Sequence, residues 1–170
     1  MTTTISENPL MSSHGLAKGQ DEKVTQLLIA SYTARRPPWL ARDALALFLH
    51  QYMTPWEDSL EDVRRGIDYA LSPTKGEGGT VYTADSDGEL VGGLVMLNTG
   101  MGGYVPANLL LFVCVAPPWR GQGIGRLLIQ RALEACDGDV KLHVEPDNPA
   151  HELYRRLGFR NDYLEMRLKR

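Results

Sequence analysis

A glycine-rich turn that joins an apolar segment to an amphipathic one constrains this chain more than any other feature. Residues Leu109 to Val115 form an apolar run that is too continuous for a strand with one solvated face, so they predict a central strand of a sheet. The turn Arg120-Gly121-Gln122-Gly123-Ile124-Gly125 follows after two prolines. Apolar residues at helical spacing come next, namely Ile124, Leu128, Ala132 and Ala135. The predicted order is buried strand, glycine turn and helix.

This turn has the chemistry of a phosphate site. About four N–H groups at the start of a helix lack partners within it, and the helix dipole places roughly half a positive charge there. Glycines at alternate positions remove the Cβ atoms that would hold a diphosphate away, and Arg120 and Arg126 add positive charge at either end. The residues therefore predict a pyrophosphate ligand.

Other interpretations of the turn have to be weighed against this one. The glycines could make only a tight connection, but glycine costs about 1 kcal/mol inside a helix, so Gly123 and Gly125 in its first turn need a reason. A dinucleotide site would use an acid such as Glu145, 20 residues after Gly125. Its glycines would be spaced G-x-G-x-x-G, however, and the 25 residues after Glu145 cannot complete a doubly wound sheet. No Gly-Lys-Ser/Thr follows, which excludes a nucleoside-triphosphate loop.

Three helices are predicted in the first half of the chain. The spacing of Val24, Leu27, Leu28 and Tyr32 predicts an amphipathic helix that stops at Pro37-Pro38, and a second helix is predicted from about Ala41 to Met53. Thr54-Pro55-Trp56-Glu57 predicts the start of a third, with a capping threonine, a proline at the first position and a reciprocal carboxylate. Its apolar stripe is Trp56, Leu60, Val63, Ile67 and Leu71.

Strand patterns dominate the second half. The β-favouring segments Val81-Tyr82-Thr83 and Leu90 to Leu97 flank Asp85-Ser86-Asp87-Gly88, which predicts a β-hairpin, and Gly92-Gly93 predicts a bulge or a close backbone approach. Further elements follow the glycine-turn helix, which Gly138 should cap: a strand from Val140 ended by Pro146, a helix that Asn148-Pro149 starts and Gly158 closes, and a last strand through Leu164, Met166 and Leu168.

Two segments together resemble the GNAT superfamily of acyl-CoA-dependent N-acetyltransferases. Arg120, Gly123 and Gly125 match its acyl-CoA-binding pattern Arg/Gln-x-x-Gly-x-Gly/Ala. Residues of its second motif follow downstream, namely Asn148, Ala150, Tyr154 and Gly158-Phe159. The resemblance covers Leu109 to about Leu168 and implies an α/β (α+β) fold, with one mixed, mostly antiparallel sheet flanked by helices. It also implies acetyl-CoA as co-substrate and a primary amine, of a small molecule or a peptide, as acceptor.

The resemblance assigns roles to individual residues. Val113 and Val115 would offer backbone groups to the pantetheine arm, and Asn148 would approach that arm. The pyrophosphate would lie on Arg120, Gly121, Gln122, Gly123, Ile124, Gly125 and Arg126. Tyr154 would supply a proton or hydrogen bond to the departing thiolate. Some family members carry a glutamate base where this chain has Leu109, so Glu145 and His143 are the candidate bases, beside water-mediated deprotonation. The missing glutamate also supports an alternative, a non-catalytic acyl-CoA-binding module.

Composition sets the remaining expectations. At 170 residues and 43% hydrophobic, the chain predicts a tail over residues 1–20 and a single domain over 21–170. Cys114 and Cys136 predict buried thiols in a reducing compartment, with no metal site. A net charge of −3 with interspersed signs disfavours nucleic acid, and no apolar run is long enough to span a membrane. We expect a cytoplasmic protein, with a homodimer as its assembly.

Overall fold

The computed structural model describes residues 27–33, 43–56, 58–76 and 78–168. In these residues five strands form one sheet in the order β1 to β5: Leu27–Tyr32, Gly79–Ser86, Glu89–Asn98, Asn108–Val115 and Val140–Leu142. Neighbouring strands are antiparallel except for β4 and β5, which are parallel. The helices described are α1 to α4: Ala44–Tyr52, Leu60–Ala70, Ile124–Ala135 and Ala150–Arg156. The predicted fold class, a mostly antiparallel sheet flanked by helices, is confirmed.

The helices cover the two faces of the sheet separately. Leu45, Leu49 and Val63 of α1 and α2 are fully buried against one face. Leu128 and Ile129 of α3 are fully buried against the other face, where α4 also packs. Each face of the sheet therefore has its own apolar core, and these cores do not occupy the sheet edge between α1 and α4.

The predicted β-hairpin is confirmed, and so is the close approach predicted at its two glycines. A Cβ atom on Gly92 would lie 3.0 Å from a methyl carbon of Leu128, and one on Gly93 would lie 2.9 Å from a methyl carbon of Leu45. The glycines thus let α3 and α1 approach β3 from opposite faces. Ala84 pairs with Gly92 while the next residue of β2 pairs with Leu90, so the intervening Val91 is a bulge.

A second bulge, in β4, redirects the strand that the sequence predicted to be central. Met96 pairs with Leu110 and Val95 pairs with Phe112, which leaves Leu111 as the extra residue. Residues two apart on a regular strand share a face, yet Leu110 packs in the α3 core and Phe112 in the α1–α2 core. The bulge therefore rotates the strand at its middle. Leu110, before the bulge, faces the α3 core, and Phe112, after it, faces the α1–α2 core.

The prediction of the first helix is wrong for those of its residues that the structure describes. Residues 27–32 form β1, paired with β2 from Leu27↔Ser86 to Tyr32↔Val81. The apolar run at the start of the segment fits either period, and the long-range ladder with β2 decides in favour of the strand. Val24 and Pro37-Pro38 lie outside the described residues, as do the first residues of the predicted second helix, which is confirmed as α1 over Ala44–Tyr52.

The predicted third helix starts later in the structure than the sequence indicated. It begins at Leu60, because the Oγ of Ser59 accepts a hydrogen bond from the N–H of Asp62 at 3.1 Å and caps the first turn. Thr54 and Pro55 lie in the connection before it, and Glu57 lies outside the described residues. The predicted apolar stripe is confirmed from Leu60 onward, since Val63, Ile67 and Leu71 are buried, whereas Trp56 lies in the connection before α2.

Three predictions for the C-terminal third need correction. The predicted strand from Val140 ends at Leu142, because β5 loses its pairing with β4 there. Gly138 has a left-handed φ of 78° but stands two residues beyond Cys136, which ends α3 in an extended conformation. The predicted last strand is not formed within residues 159–168. The segment pairs with no strand among the described residues, and its alternating apolar side chains are exposed: Leu164, Met166 and Leu168.

Candidate active site

The parallel strands β4 and β5 separate halfway along β4 and open a cleft. They pair only at Asn108↔Val140, Leu109↔Lys141 and Leu110↔Leu142. The closed end is fixed by the buried Asn108, whose side-chain amide donates a hydrogen bond to the main-chain oxygen of Asp137 at 2.7 Å. Beyond Leu110, the edge of β4 that faces β5 has no strand partner in the described part of the chain. The gap widens into a cavity of about 930 Å³.

This cavity brings together residues that are far apart in the sequence. Its walls come from β4, from the connection between α1 and α2, from the residues between β5 and α4, and from α4 itself. It contains six of the predicted site residues: Val113, Val115, Arg120, Glu145, Asn148 and Tyr154. Tyr52 and Trp56 also line it.

Except for Arg120, the glycine turn lies beside the cavity and not in its lining. A Cβ atom placed on Gly125 would be 3.6 Å from a methyl carbon of Val115, so the turn borders the open end of β4. Gly121 and Gly123 have φ values of 78° and 85°, and no atom lies within 4 Å of a Cβ atom built on either. Gly123 is the N-cap of α3 and supplies no side-chain cap. The head of α3 thus has open space and no side-chain cap, which suits a phosphate group.

Arg120 is placed by contacts that its sequence position did not suggest. Its Nε donates a hydrogen bond to the main-chain oxygen of Val115 at 2.9 Å, and its Nη2 donates one to that of Tyr52 at 2.7 Å. The guanidinium therefore ties the end of α1 to the end of β4. Gln122 is similarly engaged, because its amide donates to the oxygen of Pro118 at 3.1 Å. A pattern in the local sequence cannot reveal the contact between Arg120 and Tyr52.

Tyr154 presents a neutral phenol to the cavity. Its side chain is only 8% exposed, and its ring meets that of Phe159 edge-on with centroids 5.8 Å apart. Burial raises the pKa of Tyr154 to about 12, so the hydroxyl keeps its proton at physiological pH. No protein group within the described ranges hydrogen-bonds to this hydroxyl. It is therefore a donor without a protein acceptor in a mostly buried position.

Asn148 caps the start of α4 and has a second side-chain group, its amide nitrogen, that can donate a hydrogen bond. Its Oδ1 accepts a hydrogen bond from the N–H of Ala150 at 2.9 Å. Pro149, directly before α4, already has helical dihedral angles, so this bond caps the first turn as predicted. Its side-chain amide nitrogen has no partner among the residues that the structure describes. Since Asn148 also lines the cavity, this nitrogen can donate a hydrogen bond to a ligand there.

The ionisable groups of the cavity include several that the sequence did not single out. Asp58, Asp147 and Arg167 line it together with Glu145 and His143. Arg167 is hydrogen-bonded to Glu165, and the Nε2 of His143 lies 3.4 Å from a carboxylate oxygen of the same residue. Glu165 raises the pKa of Arg167, and Asp58 and Glu145 add to this effect. Leu109, at the place of the family's glutamate, gives the wall an apolar side chain.

The described residues provide neither a metal-binding cluster nor a membrane-spanning helix. No group of three or more His, Cys, Asp or Glu side chains there could hold a metal ion. None of the helices in those ranges is long and apolar enough to cross a membrane.

Comparison with known proteins identifies the family. A family model described as "Acetyltransferase (GNAT) domain" matches residues 77–161, which is half of the chain. The chain belongs to the GNAT family of acetyltransferases. This GNAT chain is also 42% identical over 52 residues to the Cysteine-rich protein 2-binding proteins of Mus musculus and Homo sapiens. The match covers 30% of the chain and 7% of each of those much longer proteins.

Solved structures show the same fold. An aminoglycoside N-acetyltransferase in complex with CoA superposes with a TM-score of 0.60 at 13% identity, covering 86% of this GNAT chain and 95% of that one. A GNAT family acetyltransferase from Streptococcus pneumoniae gives a TM-score of 0.61 at 19% identity, with coverage of 85% and 98%. These similarities support the resemblance seen in the sequence and establish the architecture.

Proposed function

We propose that this GNAT chain transfers an acetyl group from acetyl-CoA to a primary amine. One observation carries the proposal: the open edge of β4 and the uncapped head of α3 adjoin a cavity into which the buried, protonated Tyr154 projects. A related fold was solved in complex with CoA, which supports the choice of co-substrate. The cytoplasmic location and the homodimer remain predictions.

The residues present fit coenzyme A. We assign the pyrophosphate to the N–H groups of Gly121 to Arg126, where the two left-handed glycines leave open space. The pantetheine arm would add to the unpaired edge of β4 at Val113 and Val115, as an extended peptide adds to a sheet. The main-chain oxygen of Val115 already accepts from Arg120, so its N–H is the better group for the arm. Asn148 would donate from its free amide nitrogen.

The bound thioester would supply an activated acetyl group whose carbonyl carbon the acceptor amine attacks. The new C–N bond forms as the C–S bond breaks, so the products are an acetamide and coenzyme A. In this chain Tyr154 would donate its hydroxyl hydrogen bond to the departing sulfur, which carries the electron pair of the broken bond. A phenol with a raised pKa is a weak acid but a persistent donor, because it is not ionised at the pH of the reaction.

The proton lost by the amine needs an acceptor, and we propose Glu145. Its side chain is exposed in the cavity wall, and no described protein group pairs with it. A water molecule could carry the proton between the amine and this carboxylate. His143 is the second candidate, although its Nε2 faces Glu165 at 3.4 Å.

Ligand binding tests the assignment of the glycine turn. CoA at about 100 times its Kd should stabilise the protein by roughly 2.7 kcal/mol and raise its melting temperature, whereas NAD and ATP should not. Gly123→Asp should abolish the CoA shift, because a carboxylate opposes the phosphates. Gly88→Asp, which adds the same charge at another left-handed glycine in the β2–β3 hairpin, is the matched control. An undiminished shift in Gly123→Asp would remove the pyrophosphate from this turn.

Turnover separates the enzyme from a non-catalytic acyl-CoA-binding module. Acetyl-CoA should release free thiol when a panel of amines is added, and mass spectrometry should show the acetylated amine. Tyr154→Phe keeps the ring that contacts Phe159, so it should lower kcat by about 10²-fold while the CoA thermal shift survives. CoA binding without turnover of any amine would favour the module, and an unchanged kcat in Tyr154→Phe would exclude the tyrosine from the mechanism.

A further inference from the structure

Three carboxylates line the cavity. Asp58, Glu145 and Asp147 line it, and in the described ranges none of these carboxylates has an ion pair or hydrogen bond. Both guanidinium groups of the lining have other hydrogen-bond partners, although Arg167 also acts electrostatically on Asp58 and Glu145. Arg120 donates to two main-chain oxygens, and Arg167 is paired with Glu165. A ligand in the cavity would therefore meet unpaired carboxylates.

These carboxylates stand on two different walls. Asp58 lies in the connection between α1 and α2, near Trp56, whereas Asp147 lies between β5 and α4, directly before Asn148. Tyr154, nine-tenths buried and with a hydroxyl to which no described residue hydrogen-bonds, lines the same space and marks where the chemistry would occur. A ligand reacting near Tyr154 can thus extend towards Asp58 and Asp147.

We propose that Asp58 and Asp147 bind a second positive charge on the acceptor, so that the preferred substrate is a primary amine with another cationic group. This inference rests on the proposed function and specifies its acceptor. A second ammonium or guanidinium group would pair with the free carboxylates, and Trp56 could take part through its ring face. An anionic acceptor would be repelled, and an apolar monoamine would gain nothing from Asp58 and Asp147.

Matched substrates test the second charge directly. The first pair is 1,4-diaminobutane and n-butylamine, which represent small polyamines. The second pair is two peptides with a free N-terminus, with lysine in one replaced by norleucine in the other. The dication of at least one pair should have a kcat/KM about tenfold higher, mostly through a lower KM, as expected for two partly exposed ion pairs. The preference should shrink in 1 M salt, where the screening length is about 3 Å.

Variants assign the effect to the two aspartates. Asp58→Asn and Asp147→Asn should each lower kcat/KM for the dication several-fold more than kcat/KM for the monoamine. Glu89→Gln removes a carboxylate from the exposed start of β3, outside the cavity, and should change neither substrate. Arg167→Gln should act in the opposite direction and raise kcat/KM for the dication, because it removes a competing cation near Asp58 and Glu145.

The outcomes separate this inference from the proposed function. Equal kcat/KM for both members of each pair would overturn the inference and leave the acetyltransferase in place. A dication preference that persists in Asp58→Asn and Asp147→Asn would also overturn it. Failure of every amine to react, with CoA still bound, would instead refute the proposed function.

Discussion

The guanidinium of Arg120 donates a hydrogen bond to the main-chain oxygen of Tyr52 at 2.7 Å, across 68 residues of sequence. Arg120 belongs to the glycine turn, and Tyr52 is the last residue of α1. The contact links the segment that we assign to the phosphates with the end of α1, where Tyr52 lines the cavity. The two ends of the candidate site are therefore held together through one side chain.

Arg120→Lys should weaken this link and keep the positive charge. Lysine cannot donate to Val115 and Tyr52 at once with the planar fork of arginine. We expect the free energy of unfolding to fall by about 1 kcal/mol, a figure discounted because the side chain is exposed. Chemical denaturation measures the stability, and CoA titration should give a Kd within a few-fold of the original. Unchanged stability with a large loss of CoA affinity would show that the fork serves the phosphates.

The pH dependence of kcat should reveal the raised pKa of Tyr154. Burial moves it from 10.0 to about 12, so the phenol stays protonated where an ordinary tyrosine would begin to ionise. We expect kcat to rise with pH as the acceptor loses its proton, and to show no decline up to about pH 10.5. Because the folded pKa is the higher one, the stability linked to the protonated phenol is complete below pH 10 and is lost as the pH rises towards 12.

Tyr154→Phe is the control for this profile and should show a lower kcat with the same shape. A fall in kcat with a midpoint near pH 10, present in the original protein and absent from Tyr154→Phe, would contradict the buried position of the phenol.

Substitution by alanine should change the free energy of unfolding in opposite directions at two glycines of the turn. Gly123 has a φ of 85°, where an L-residue is strained, so Gly123→Ala should lower the free energy of unfolding of the free protein by about 1 kcal/mol. Gly125 lies in the first turn of α3, and its new Cβ would meet Val115 at an ordinary contact distance of 3.6 Å. Gly125→Ala should therefore raise that free energy by up to about 1 kcal/mol. Urea denaturation of both variants without CoA checks the signs, and two changes of the same sign would refute the turn geometry.

The thiol of Cys114 should resist alkylation in the native state. Burial raises its pKa from 9.0 to about 12, although the charge of Arg120 opposes the shift. At pH 8 only about one thiol in 10⁴ would be ionised, and the thiolate is the reactive form. Cys136 is only partly buried, so iodoacetamide should label it first, with both labelled in denaturant. Peptide mass spectrometry would locate the label, and rapid native labelling of Cys114 would argue against its burial in β4.

Some elements follow from neighbouring residues alone. The strand before the glycine turn, the helix after it, the β2–β3 hairpin and the Asn148 cap were all predicted because their determinants lie within a few residues of each other. Where a pattern fits two structures, local information fails. Leu27 to Tyr32 has apolar spacings that suit a helix, but it pairs with β2, from Leu27↔Ser86 to Tyr32↔Val81, far later in the sequence. The C-terminal apolar alternation predicted a strand that has no ladder partner in the structure.

The sequence by itself determined that a glycine turn heads a helix beside a buried strand, because φ preferences, capping and hydrophobic period are local properties. Only the tertiary structure decided that β4 and β5 diverge after Leu110, and that Asp58, Asp147 and Tyr154 share one cavity. These relationships depend on a bulge register and on contacts between distant segments. They arise when the chain packs, so neither composition nor periodicity can specify them.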